Sequence, residues 1–563
     1  MSKVSVINRF WALLTPDYKE IRNVYIFAIF SGILSLGLPL GIQMIINFIQ
    51  LGQVSTSWFV LVGLVVIAVG FTGVLNIYQL RITENLQQRI FTRSAFEFSE
   101  RIPKMKMEIL LKRYTPEITN RFFDTLTIQK GLSKILIDSS SAILQIVFGL
   151  ILLSFYHSFF IFLGLVLILL LIVIIRVTSK KAFNSSMEES TYKYKIANWL
   201  DEITQARLSF KMAGFSLFNL NQTNTLVNNY LSAREKHFKI LVQQYGYLII
   251  FKVVIALALL IVGGLLVLNQ QMNIGQFVAA EIIILLILNS VEKLILSLEI
   301  FYDVFTSIEK IGQVTDLPLE NVSGEKFENS TNGIDLKISD LYFSFSNYQS
   351  PILEDISLSI KSNERICFVS DSSLSTNVLF CMISGMYDFQ KGTISFNDIP
   401  ISNLDKSSCR NQIGTLLSQD QFVNTSIYEN IAFGREEVDL KKVTQIANSL
   451  DLGSFIDQIT DKYNSIINPE RNMLPADVAT RMLFARAIVS NPSLLLLEDP
   501  TSGMNEVQTK FMAEKIKSIS NTTILMASFE EEIQRISDRI IEIKEGKIVF
   551  TGKYDDYQNR KQC

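Results

Sequence analysis

The sequence predicts two domains in series, an all-α membrane domain of six spans followed by an α/β domain. Three observations predict this. Long stretches of the N-terminal half carry no charged residue. Lys and Arg crowd one set of connecting segments and are missing from the other. Beyond residue 335 the pattern changes to short β-type runs alternating with helical stretches. At 563 residues and 48% hydrophobic, the chain is long enough for several domains and too apolar for an ordinary soluble protein. A net charge of -2 supplies no bulk basic field, so nucleic acid is not an expected partner.

A bilayer core needs roughly 20 apolar residues per helix. No Asp, Glu, Lys or Arg occurs from Asn23 to Leu80, from Ser139 to Ile175, or from Val253 to Ala280. Each run makes a hairpin, with polar turns at QLGQVSTS (50–57), Tyr156–Ser158 and NQQMN (269–273). The expected spans are 22–49, 57–80, 135–156, 158–178, 246–268 and 274–300, within a membrane domain of residues 1–312. Pro39 is expected to kink the first span. The three turns carry no Lys or Arg, whereas segments 81–135 and 176–245 are rich in both. The positive-inside rule puts those segments and both termini in the cytoplasm, giving a multi-pass membrane protein surrounded by lipid.

Glu281 interrupts the sixth span. A charge deep in a span costs about 2.5–3.5 kcal/mol on insertion scales. Two roles are open for it: facing a transport pathway, or snorkelling to the nearby outer surface. Lys252 is expected near the inner surface, and Glu292 and Lys293 on the cytoplasmic side of the last span or along a cavity. The segments between hairpins alternate charged and apolar residues at helical spacing, as in RITENLQQRIFTRSAFEFSERI, and read as helices extended into water.

Residues 313–335 are polar, with Pro, Gly, Asn and Ser, and read as a linker. Residues 336–563 form the α/β domain, opening with LKISDLYFSFS, ILEDISLSIKS and ERICFVS. Cys367, Cys381, Cys409 and Cys563 lack metal-ligand spacing and read as reduced cytosolic thiols. Only two histidines occur, His157 and His237, which argues against a histidine triad or a zinc site.

Two stretches carry the chemistry: ICFVSDSSLSTNVLF (366–380) and LLLLEDPTSGMN (494–505). Together they resemble the nucleotide-binding domain of an ABC transporter. The preceding spans resemble the exporter-type membrane domain of that family, most like its peptide- and protein-secreting type I secretion members. In that domain short coupling helices end the cytoplasmic hairpins, and position places them near 114–125 and 198–214. The family phosphate loop reads G-x-x-G-x-G-K-[ST], and the aligned residues here are Ser370, Ser373, Ser375, Thr376 and Asn377. Glycines allow backbone angles that turn amides onto phosphates, and the lysine supplies a charge. Both are missing, and Asp371 adds a negative charge.

By resemblance, Phe345 stacks on adenine; packing into a core is its equal alternative. Gln419 matches the glutamine that contacts magnesium. Glu498 and Asp499 reverse the family's Asp-Glu order, leaving Asp499 at the position of the base. Asn377, Gln419 and Glu498 are thus weak magnesium positions. The LSGGQ signature aligns with Leu474, Pro475, Ala476, Asp477 and Val478, where Pro475 lacks an N–H and Asp477 brings negative charge to an anion site. Phe529 stands where a switch histidine belongs, and Asn505 replaces a terminal Asp.

The resemblance implies a half-transporter that pairs with a second ABC half-subunit, identical or not, and with a possible periplasmic adaptor. It moves a peptide, protein or other amphipathic substrate across the inner membrane. ATP and magnesium are its family cofactors, expected to bind weakly or not at all. The alternative is a non-hydrolysing structural or regulatory subunit of a secretion complex.

Overall fold

The computed structural model describes residues 5–50, 56–111, 114–214, 216–320, 323–328, 332–345, 348, 350–468 and 474–562. Most of the expected turn at 50–57, Lys112 and Arg113, parts of the 313–335 linker, and Cys563 lie outside these residues. The chain divides into two compact units, residues 1–105 with 109–319 and residues 106–108 with 320–563.

Among the described residues, the first unit holds six helical segments long and apolar enough to cross a membrane: Val6–Gln50, Thr56–Lys104, Thr115–Ser154, Ser158–Gln205, Phe218–Leu268 and Ile274–Thr315. The fourth runs for 48 residues. At 1.5 Å per residue that is about 70 Å, over twice a bilayer's hydrocarbon core. The helices therefore extend well past the membrane, as the charge pattern of the connecting segments requires. The first span breaks at Leu36, between helices Tyr18–Ser35 and Gly37–Gln50. Pro39 in the new first turn has no N–H to donate to the turn before, which is the expected kink.

The first crossing between long helices differs in place from the expectation. Helix Thr56–Arg101 stops where Pro103 opens a 3₁₀ turn, and the short helix follows at Met107–Leu111. Residues 115–120 already form a helix of the returning arm. In the second crossing the short helix is Arg207–Met212, inside the expected 198–214.

Spans three to six share one apolar core that includes Ile146, Leu153, Phe160, Leu248, Phe251, Ile283 and Ile287. A Cβ on Gly149 would meet Ile287 at 2.9 Å, so glycine sets how closely spans three and six approach. Beyond the apolar stretch, buried polar pairs join the last three spans. Gln244 Nε2 donates to Thr178 Oγ1 at 2.6 Å and to Tyr302 Oη at 3.0 Å. Ser186 and Thr306 hydroxyls meet at 2.9 Å.

The second unit is built on a six-stranded sheet. Its strands are β3 (Arg365–Ser370), β6 (Ile413–Leu416), β9 (Leu494–Glu498), β10 (Thr523–Ala527), β11 (Arg539–Lys544) and β12 (Lys547–Gly552), in the order β12-β11-β3-β10-β9-β6. All neighbours are parallel except β12 against β11. β1 (Leu336–Phe343), β2 (Leu353–Ile360), β4 (Lys391–Phe396) and β5 (Ile399–Pro400) make a separate antiparallel sheet, and β7 (Thr425–Ser426) pairs with β8 (Ile466–Ile467). Side chains alternate across the parallel sheet. Phe368, Leu494, Leu496 and Leu525 enter one core, while Cys367, Val369, Leu495, Leu497, Ile524 and Met526 enter the other. Both faces are covered, which is why LLLL reads as an unbroken apolar run. Cys367, Cys381 and Cys409 are free and buried. Burial pushes the thiols of Cys367 and Cys381 up to about 12, so they are inert packing groups.

Candidate nucleotide site

Parallel strands deliver their C-terminal ends to one edge of the sheet, where open α/β folds bind ligands. β3 brings Ser370 there, β9 brings Glu498, and β6 leads into Ser418 and Gln419.

The connection out of β3 is short. The helix Ser373–Ile383 begins only two residues after the strand, so Ser373, Ser375, Thr376 and Asn377 are helical. No residue from 370 to 377 takes a positive φ. Without glycine the segment has no backbone angles from which to form an open cradle. Its hydroxyls turn to nearby carbonyls instead. Ser375 Oγ donates to Ile352 O at 3.3 Å and Thr376 Oγ1 to Ser373 O at 3.0 Å. Asp371, read from sequence as a repulsive charge in the loop, accepts a hydrogen bond from the Glu545 amide at 3.1 Å. What remains suited to a phosphate is the N-terminus of this helix.

Asn377, Gln419 and Glu498, the three expected magnesium positions, do converge. Asn377 Nδ2 donates to Glu498 Oε2 at 2.9 Å and to Ser418 Oγ at 3.3 Å. Gln419 Nε2 donates to Asn377 Oδ1 at 3.4 Å. The Ser418 amide donates to the same Glu498 oxygen at 2.8 Å. Asn377 and Glu498 are buried, 7% and 6% exposed. Magnesium needs oxygen lone pairs in an octahedron. Here amide hydrogens point at the carboxylate, so these residues do not fit the metal.

Asp499 follows in a left-handed conformation, φ 41°, its amide donating to Ala527 O at 2.9 Å. Its side chain is exposed. Desolvation, then the charges of Glu498 and Glu530, raise its carboxyl above the ordinary range. A raised carboxyl works against a base that needs a free carboxylate near neutral pH, and the Asp side chain reaches one methylene less far than the family's Glu.

The signature segment is closed by its own side chains. Pro475 caps the helix Ala476–Ile488 without a side-chain hydrogen bond. Asp477 in the first turn accepts from Arg481 Nη2 at 2.5 Å and from Gln508 Nε2 at 2.9 Å. Val478 is buried and Leu474 packs against the same core. Gly503, at φ +77°, lies so close that a Cβ would sit 2.5 Å from Ala476 Cβ. Gln508 also completes a capping box with Asn505, which starts the helix Glu506–Ser518. The sequence reading took Asn505 as a lost Asp and missed Gln508. The spacing N-x-x-Q before a helix was the available signal.

Two family models match this chain, the ABC transporter transmembrane region over residues 21–291 and the ABC transporter domain over 353–502. The chain belongs to the ABC transporters. It is similar to the alpha-hemolysin translocation ATP-binding protein HlyB of Escherichia coli, 27% identical over 56% of this chain and 44% of that protein. It is also similar to the exotoxin translocation ATP-binding protein PaxB of Pasteurella aerogenes, 26% identical over 56% of this chain and 45% of that protein. The chain thus matches less than half the length of these curated relatives. In fold it matches a structure described as a bacterial Atm1-family ABC exporter with ATP bound, at TM-score 0.85 and 16% identity over 96% of this chain and 97% of that one.

Phe345 is half-buried and packs edge-on against Phe343 at 4.9 Å and Tyr387 at 6.1 Å, so much of its ring serves the core. Phe529 is 67% exposed just beyond β10. Glu281 is half-exposed in the second turn of the last span. Farther along that span Glu292 pairs with Lys252 and accepts from Tyr245 Oη at 3.0 Å.

Proposed function

We propose that this chain is an exporter half-transporter of the inner membrane, with its nucleotide-binding domain in the cytoplasm and impaired ATP binding and hydrolysis. It acts with a second ABC half-subunit and moves a peptide, protein or other amphipathic substrate. The relatives' names, which specify toxin translocation, support protein export. Type I exporters also work with adaptors, so a periplasmic adaptor is a candidate partner. Glu281, on the last span, is the candidate pathway residue.

One observation carries the impaired chemistry: the Asn377 amide hydrogen-bonded to Glu498 and Gln419 where an ABC site holds magnesium. The signature favours a second reading. Asp477 is committed to Arg481 and Gln508, so a site completed on a partner's phosphate loop also lacks a working signature. Under that reading the chain is a non-hydrolysing structural or regulatory subunit.

Magnesium-dependent ATP hydrolysis by the chain in lipid, alone and with a co-encoded ABC half, tests the proposal. The chain alone is expected to show background turnover. Turnover by the pair that depends on this chain supports export, and none supports the structural subunit. Fast turnover by the chain alone that Asp499→Asn abolishes overturns the impaired site.

A further inference from the structure

We infer that Asn377 is a built-in substitute for the cation, latching the phosphate-loop helix, the glutamine loop and the Walker B strand in one arrangement that needs neither metal nor nucleotide. The inference rests on the impaired site proposed above and adds how the domain behaves without its cofactors.

In a metal site, one cation draws a hydroxyl, a glutamine carbonyl and a carboxylate together. An asparagine amide does this by complementary means, because it has both donors and an acceptor. Its Nδ2 satisfies Glu498 and its Oδ1 receives Gln419. The acceptor at Glu498 is a carboxylate, so that bond is charge-assisted and stronger than a neutral one. The Ser418 amide adds a second bond to the same oxygen, fixing the start of the glutamine loop to β9.

Tyr387 is buried and packs against Phe343 and Phe345. Its neighbour Asp388 accepts Lys106 Nζ at 2.8 Å and Lys406 Nζ at 2.9 Å. The Asp388 amide donates to Glu108 Oε1 at 2.9 Å. Residues 106–108 belong in sequence to the crossing between the second and third spans, yet pack within the C-terminal unit. Polar contacts thus hold that segment to Asp388, which follows Tyr387 in the chain. Because the link among Glu498, Ser418 and Gln419 is a resident side chain, loss of nucleotide leaves those contacts intact.

Hydrogen exchange on the full chain in lipid nanodiscs tests this over 373–383, 413–420 and 494–499. The conditions are EDTA, millimolar magnesium alone, and magnesium with ATP. Wild type is expected to exchange equally in all three. Asn377→Ala, which leaves Glu498 with the Ser418 amide alone, is expected to exchange about tenfold faster in these segments. Asn377→Asp sets a second carboxylate against Glu498. It is expected to loosen the segments in EDTA and to recover protection when magnesium is added. A magnesium-dependent change in wild type overturns the latch, as does unaltered exchange in Asn377→Ala. The wild-type arm stands even if a variant does not fold. Magnesium without nucleotide probes the latch, and ATP turnover probes the impaired site, so the two fail separately.

Discussion

Replacing Asp477 by alanine is expected to destabilise the nucleotide-binding domain by roughly 3–4 kcal/mol. Arg481 and Asp477 are 9% and 17% exposed, and their atoms approach to 2.5 Å. At an effective dielectric of 20, unit charges 4 Å apart attract by about 4 kcal/mol. Arg481 keeps the carbonyls of Leu450 at 3.2 Å and Asp451 at 2.9 Å and the Asp451 carboxylate at 3.6 Å, so only part of that is lost, about 2 kcal/mol. The Gln508 hydrogen bond adds about 1 kcal/mol. Loss of an acid from the first helical turn adds roughly 0.3–1 kcal/mol. For a domain of this size the sum lowers the midpoint by roughly 7–16 °C. All three tryptophans, Trp11, Trp58 and Trp199, lie in the N-terminal half, so intrinsic fluorescence does not report the loss. Scanning calorimetry, with hydrogen exchange across 476–488 and 506–518, reads it directly. A midpoint unchanged within 1 °C or so, with unchanged exchange, refutes the reasoning that Asp477 is a structural tie.

Asp499 gives a prediction with a definite sign. Desolvation, Glu498 and Glu530 raise its carboxyl, so ionising it costs no stability below the ordinary carboxylate pKa, a growing amount between that and the folded pKa, and the full amount above the folded pKa. Asp499→Asn is expected to be neutral to slightly stabilising at pH 7.5, by at most about 1 kcal/mol after solvent screening, with the difference shrinking toward acid. Melting curves across pH 5–8 check it, and a destabilised variant contradicts it. In the membrane domain, Lys252→Met is expected to cost about 2 kcal/mol by leaving the Glu292 carboxylate with Tyr245 alone. The double variant Lys252→Met with Glu292→Gln is expected to recover most of it. A double-mutant cycle in detergent unfolding measures the coupling, and strictly additive losses show that the pair does not interact.

The fold was legible because its signals are long and redundant. Runs such as Asn23–Leu80 admit few readings other than membrane hairpins, and LLLL between turn residues marks a strand covered on both faces. The site was legible as a set of losses, since missing glycines and a missing lysine are read directly from the string. What the losses became was not legible. Asn377 reads as a missing hydroxyl, and only its distances to Glu498 and Gln419 reveal a new bond pattern. Asp477 reads as a repulsive charge, yet its partners lie 4 and 31 residues away along the chain. The first crossing was misplaced because 114–125 has the composition of a surface helix. The actual break depends on Pro103, eleven residues before Tyr114.

Equilibrium binding of labelled ATP to the purified full chain in nanodiscs, at millimolar nucleotide with and without magnesium, is the most direct measurement. The account predicts no saturable magnesium-dependent occupancy, because the groups that would hold the metal already hold one another. Stoichiometric binding that requires magnesium and is lost in Glu498→Gln contradicts it.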